Sequence, residues 1–195
     1  MLGARAEEAT DRIAAQAATL GLSQADRDAL TNKAEKAFVA LEPYKTRVLG
    51  PGEQLPAPVG QVLDDITALS PRYQLKADQV LNLMVEFAVG INEVSHAPNP
   101  ERMRKAFVPL QKLFQGKETP GADLLKLYGP MLKDGLAQTL ALEPERRLAG
   151  PPGKSTTEQI RTARKIADFA KKHGLSTTEL LKASQALQSG LASGG

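Results

Sequence analysis

One stretch of the sequence, residues 76–96, restricts the fold more than any other. It reads KADQVLNLMVEFAVGINEVSH, and its polar positions Gln79, Asn82, Glu86 and Glu93 are spaced by three, four and seven residues. On an α-helix this spacing places them in one narrow stripe, and the remaining surface is largely apolar. Such a helix must be covered by neighbours on most sides, so we predict that it lies at the centre of the protein. Its expected core residues are Val80, Leu81, Leu83, Met84, Phe87, Ala88 and Ile91.

Most of the remaining chain carries a helical pattern, with proline and glycine at the breaks. The predicted helices span residues 4–20, 23–41, 58–69, 76–96, 100–115, 120–141, 155–173 and 176–189. Two of them contain an internal proline, Pro109 and Pro130, at which we expect a kink or a split. The predicted fold class is all-α, an irregular bundle of about eight helices with a buried central helix and a helical hairpin at each end.

A repeated motif indicates the two terminal hairpins. Residues 13–23 and 166–176 share the pattern I-A-x-x-A-x-x-x-G-L-S. In each copy the glycine can end a helix in the left-handed conformation, and the serine can cap the next helix. We expect one helical domain over residues 1–195, a length that is sufficient for a buried core. Its possible sub-units are an N-terminal hairpin at 1–42, a central body at 58–142 and a basic C-terminal hairpin at 155–190.

Residues 150–156, GPPGKST, resemble the end of a phosphate-binding loop. That loop requires a further glycine five positions before the glycine of its Gly-Lys pair, and it follows a buried strand. Here Leu148 occupies the glycine position, and the preceding residues are charged and helical. We interpret Ser155 instead as a helix cap that forms a capping box with Glu158. The stretch therefore predicts the start of a helix rather than a nucleotide site.

The residue inventory argues against several kinds of chemistry. Cysteine is absent and histidine occurs twice, so disulfides, thiolate metal sites and thiol nucleophiles are excluded. Glu93 and His96 have the Glu-x-x-His spacing of a di-metal carboxylate bundle, but the second such pair is missing. No serine lies in the Gly-x-Ser-x-Gly setting of a hydrolase nucleophile. We identify no catalytic, cofactor-binding or metal-binding residue and expect a protein that is not an enzyme.

The start of the chain, MLGARAEEATDR, lacks the apolar run of a signal peptide, and no segment is long enough to span a bilayer. Together with the absence of cysteine, this favours a soluble protein of the cytoplasm or another reducing compartment. Export into a host without a signal peptide stays open as an alternative.

Charge is distributed unevenly along the chain. Residues 51–100 hold six acidic and two basic side chains, whereas residues 151–195 hold three acidic and seven basic ones. Within the basic segment, the predicted helix at 155–173 is amphipathic, a pattern found where helices dock on acidic partners or lie on anionic membranes. The same pattern also fits a solvated outer helix of a bundle. Glu86, the lone acid in its apolar surroundings, is expected to be partly buried and paired with a basic residue from 102–105.

Our main hypothesis is a non-enzymatic adaptor or effector that binds another protein with an acidic surface through the C-terminal hairpin. The candidate partner-binding residues are Arg161, Arg164, Lys165, Phe169, Lys171, Lys172 and Lys182.

An alternative is DNA binding by residues 158–189 as a helix-turn-helix. The basic side chains of the first helix would contact phosphates. The side chains placed near bases would be Thr177, Thr178, Lys182 and Gln185. Against this, the second helix of the N-terminal copy opens with Asp26 and Asp28, which would repel phosphate. A second alternative is a helical enzyme, or a modulator of one, that uses arginine or glutamate residues not identified here.

Overall fold

The computed structural model describes residues 3–95, 99–141 and 156–192. Within these ranges the chain forms eight α-helices and one short 3-10 helix, and no β-strand. The helices are α1 (Ala4–Thr19), α2 (Gln24–Ala40), α3 (Ala57–Arg72), α4 (Ala77–Val94), α5 (Pro100–Phe114), α6 (Gly121–Ala141), α7 (Thr156–His173) and α8 (Thr177–Ala192), and the 3-10 helix is Glu42–Lys45. The predicted all-α bundle is confirmed.

The helix boundaries differ most from the prediction at the ends of α3 and α8, each of which runs three residues further than expected. In α3 the last turn continues past Pro71, because the Tyr73 N–H still donates a hydrogen bond to the Leu69 carbonyl at 3.0 Å. A proline near the end of a helix lowers the stability of the helix only slightly, because few backbone hydrogen bonds lie beyond it.

Helix α4 is the centre of the bundle, as its sequence predicts. It contacts α1, α2, α3, α5 and α6, and each of its seven predicted core residues is at most 1% exposed. Of the polar stripe, Gln79, Asn82 and Glu93 are partly exposed and Glu86 is buried. The amphipathic pattern therefore identified both the location of the helix and its least covered side.

Seven of the eight described helices, with α4 among them, form a closed ring of contacts. The order of packing is α1, α2, α3, α6, α8, α5, α4 and back to α1. Helix α7 lies outside this ring, mainly against α8 and less extensively against α6. Contacts cross both of the predicted sub-unit boundaries, since α1 packs on α4 and α8 packs on α5 and α6.

Each terminal hairpin turns through the repeated motif. Gly21 and Gly174 adopt φ angles of 74° and 67°, a region in which a Cβ atom would clash with the backbone. The hydroxyl oxygens of Ser23 and Ser176 accept backbone N–H groups three residues later, at 3.2 and 3.3 Å. The two hairpins and their caps are thus confirmed, while the predicted cap at Ser155 lies outside the described residues.

The internal prolines do not split their helices. Pro109 lies within α5 and Pro130 within α6, and both helices are continuous. Fully buried side chains, such as Leu110 after the first proline and Leu132 after the second, follow within one turn. Tertiary packing on the far side of each proline therefore holds the two halves in one helix, despite the missing hydrogen bond.

Close helix contacts depend on small residues. A Cβ atom on Gly190 of α8 would lie 2.2 Å from the Cβ of Ala106, and one on Gly135 of α6 would lie 2.7 Å from the Leu191 side chain. At the same interface the Tyr128 and Ser184 hydroxyls are hydrogen-bonded at 2.7 Å. Burial raises the pKa of the Tyr128 phenol to about 12, so this group stays protonated. Helix α8 is therefore fitted closely against α5 and α6.

Gly90 provides a test of this packing at the central helix. A Cβ atom there would lie 2.6 Å from the Phe38 ring and 2.9 Å from the Ala9 Cβ. We expect Gly90→Ala to destabilise the protein by about 1–3 kcal/mol in urea denaturation, because the overlap outweighs the helix propensity gained. Gly60→Ala, where the new atom meets nothing within 4 Å, is the matched control and should be neutral or stabilising. Equal stability of the two variants would contradict close packing at Gly90.

Candidate partner-binding surface

Helix α7 is covered along only half of its length. None of its first ten residues, 156–165, is buried, whereas Ile166, Phe169 and Ala170 are. Ile160 keeps 50% of its surface exposed. Among the described residues, the large apolar side chains that are exposed are Ile160 and Val39. The amphipathic face predicted from the sequence therefore extends beyond the part of the bundle that covers it.

The basic candidate residues lie on the exposed sides of the hairpin. All six are exposed. They are Arg161, Arg164, Lys165, Lys171 and Lys172 on α7, and Lys182 on α8. In the part of the chain that the structure describes, only one of them, Lys172, has a carboxylate within 4.0 Å, at 3.9 Å from Asp123. Because most of these charges have no partner among the described residues, they are candidates for contact with an acidic ligand.

Phe169 differs from the other candidates because it points into the bundle. Its ring is only 9% exposed and packs edge-on against Phe114 of α5, with 6.1 Å between ring centroids. On its other side the His173 ring lies at 4.4 Å. Phe169 thus helps to hold α7 in place, although it also borders the pocket between α6 and α7. Whether it contacts a partner stays a prediction.

A second attachment of α7 lies at its C-terminal end, beside a pocket of about 310 Å³ between α6 and α7. The His173 Nε2 atom is buried and lies 3.5 Å from the Asp123 Oδ2 atom. Among the described residues, no group of three or more side chains suited to hold a metal ion is found. His96, whose Glu-x-x-His spacing lacks the second pair of a di-metal site, lies outside the described residues.

Removal of the Phe169 ring should loosen α7 selectively. We expect Phe169→Ala to increase amide hydrogen exchange across residues 162–173 by at least about tenfold, while α4 keeps its protection, because α7 lies outside the ring of contacts. Ile160→Ala, which truncates a half-exposed side chain, is the control. We expect it to leave the amide hydrogen exchange of α7 unchanged. Uniformly faster exchange throughout the protein would show instead that α7 opens only with the whole fold.

The charged cluster around Glu86 connects three helices. The Glu86 carboxylate accepts hydrogen bonds from Arg104 of α5 at 2.7 Å and from Arg12 of α1 at 2.8 Å, and Arg12 also pairs with Glu93. The pairing of Glu86 with a residue from 102–105 is confirmed. Arg12 was not predicted, because it lies 74 residues away in the sequence.

The electrostatics of this cluster fit a structural role. Burial would raise the pKa of Glu86, but the hydrogen bonds and charges of Arg104 and Arg12 outweigh it and hold the pKa below its ordinary value of 4.5. The carboxylate therefore stays ionised and paired, which is the opposite of what a general acid requires at neutral pH.

Glu86→Gln should destabilise the protein by about 2–3 kcal/mol at pH 7, because two arginines lose their carboxylate. The lowered pKa stabilises the fold above pH 4.5, and this contribution is lost as the pH falls through the folded-state pKa. The variant should therefore lose stability less steeply below pH 4.5 in thermal unfolding. Glu42→Gln, which breaks an exposed pair with Lys45, should change stability by less than about 1 kcal/mol. Equal effects of the two substitutions would contradict a special role for Glu86.

Helix α8 presents little charge on its outer side. The residues placed near bases in the helix-turn-helix hypothesis, Thr177, Thr178, Lys182 and Gln185, are exposed. Lys182 is the only basic residue of α8, and Glu179 lies one turn before it. The rest of the helix packs between α5, α6 and α7.

Comparison with protein-family models, with curated proteins and with solved structures found no significant match to this chain. Across the described ranges, no helix combines the length and the apolar character that crossing a membrane demands.

Proposed function

We propose that the protein binds an acidic surface of another protein through the N-terminal half of α7. The observation that carries this proposal is the half-exposed Ile160 beside Arg161 and Arg164, on a segment with no buried side chain. Residues one turn apart on a helix are neighbours, so Ile160 and Arg164 form one continuous face. An apolar side chain next to arginine is a common arrangement at the centre of protein interfaces.

The charge of α7 supports an acidic partner. The helix contains five arginine or lysine residues and two acidic residues. Because Arg161, Arg164 and Lys165 have no ion pair with any described residue, an incoming carboxylate would gain a partner without breaking one. Such complementarity mainly accelerates association and selects the partner.

DNA binding is the less favoured alternative, because a recognition helix must enter the major groove with its exposed face. Helix α8 would have to do this while it packs against three other helices, and Lys182 is the only base-facing residue that carries a positive charge. An enzymatic function gains no support from the cluster at Glu86, whose arginines and carboxylates are paired with one another.

Two substitutions test the proposed surface: Ile160→Asp, and the double charge reversal Arg161→Glu with Arg164→Glu. The matched controls are Val39→Asp, at the other exposed apolar residue, and Lys36→Glu, at an exposed lysine of α2. All four proteins should keep the helical circular dichroism of the wild type, because the changed side chains are largely solvated.

In quantitative affinity capture from a cell extract, the wild type should retain acidic proteins. We expect each α7 variant to retain at least about tenfold less of them, and a tenfold change in affinity corresponds to ~1.4 kcal/mol. Both controls should retain them. Retention unchanged in the α7 variants would overturn the proposal. Tight binding to a duplex oligonucleotide that weakens steeply with salt and with Lys182→Glu would favour the DNA alternative.

A further inference from the structure

A second exposed feature, separate from the N-terminal half of α7, is an open groove between the end of α5 and the start of α8. Its volume is about 640 Å³, within the range of about 300–1,000 Å³ typical of ligand sites. Its apolar lining, which we call the floor, consists of the buried Ala183, the partly buried Leu113 and the exposed Pro109. Most of the other lining side chains are exposed, so the groove is open to solvent rather than enclosed.

The rim of this groove is basic. Lys112 and Lys117 lie on one side and Lys182 on the other, with Glu179 as the only acidic residue of the lining. None of the three lysines has a carboxylate within 4.0 Å among the described residues. Elsewhere in the same part of the chain lysines are often paired, as Lys33 is with Asp65 at 2.8 Å. The groove therefore combines an apolar floor with unpaired positive charges at its edges.

We propose that this groove binds an acidic amphipathic peptide segment of a partner protein, with apolar side chains on the floor and carboxylates near the lysines. This is the helix-in-groove mode of recognition, in which one face of the segment supplies the anchors. Charge complementarity selects an acidic segment. The lining contains no aromatic or arginine side chain, and those are the groups on which nucleic-acid bases stack. An enclosed site would suit a small molecule better than this open one does.

The groove is a different surface from the exposed face at Ile160, because none of its lining residues belongs to α7. The proposal therefore goes beyond the proposed function and can fail or hold independently of it.

The probe is a synthetic fluorescein-labelled peptide designed as a helix with leucine on one face and glutamate on the other. We expect it to bind the full chain in fluorescence anisotropy. Lys112→Glu with Lys182→Glu should weaken its binding at least about tenfold. Lys105→Glu, an exposed lysine of the same α5 helix outside the groove, should change it by less than about twofold. In the NMR spectrum of the protein, the peptide should shift amide signals of residues 110–117 and 179–183.

Four outcomes of the binding and NMR experiments with the wild type and the double lysine variant would overturn the proposal. They are equal binding of a peptide with the same composition in scrambled order, tighter binding of a single-stranded oligonucleotide, NMR shifts confined to other surfaces, and equal affinity of the double variant. The α7 charge reversal at Arg161 and Arg164 separates the two proposals, since the groove requires that it leave peptide binding unchanged. If that variant alone abolished binding, the groove proposal would fail and the α7 surface would stand.

Discussion

Burial of α4 on almost all sides is the constraint on which the rest of the architecture depends. A helix that is apolar around most of its surface cannot lie at the edge of a bundle, and five other helices therefore contact it. The polar stripe leaves one side where water or charge is tolerated. Arg12 and Arg104 reach that side from α1 and α5 and pair with Glu86. The same sequence pattern thus accounts for the coverage of α4 by its neighbours and for the side on which two of them pair with its carboxylate.

Much of this fold could be predicted because its signals are local. The capping serines, the hairpin glycines and the polar stripe of α4 each act within one or two helical turns. The partner of Glu86 on α5 was also within reach, since Arg104 is 18 residues away. Arg12 could not be found in this way, because only tertiary packing brings α1 beside α4. The continuity of α5 and α6 at their prolines likewise depends on packing that propensity does not describe.

The candidate surfaces were predicted less completely. The sequence identifies α7 as basic and amphipathic, but it does not say how far along the helix the bundle covers the apolar face. Phe169 and Ile160 belong to the same face, yet the first is buried and the second is half exposed. The groove beside α8 gave no sequence signal, because Lys112 and Lys182 come from segments about 70 positions apart. Only the fold places these charges beside one floor.

The close fit of α8 against α5 and α6 has a consequence for how the molecule is made. Helix α8 is the last described helix along the chain, yet it closes the ring between two helices that are synthesised much earlier. Contacts between distant segments form slowly, since a long loop must be ordered first. Until α8 leaves the ribosome, the apolar sides of α5 and α6 that receive it stay open to water. During synthesis these faces are therefore the part of the helical core that is most exposed to aggregation.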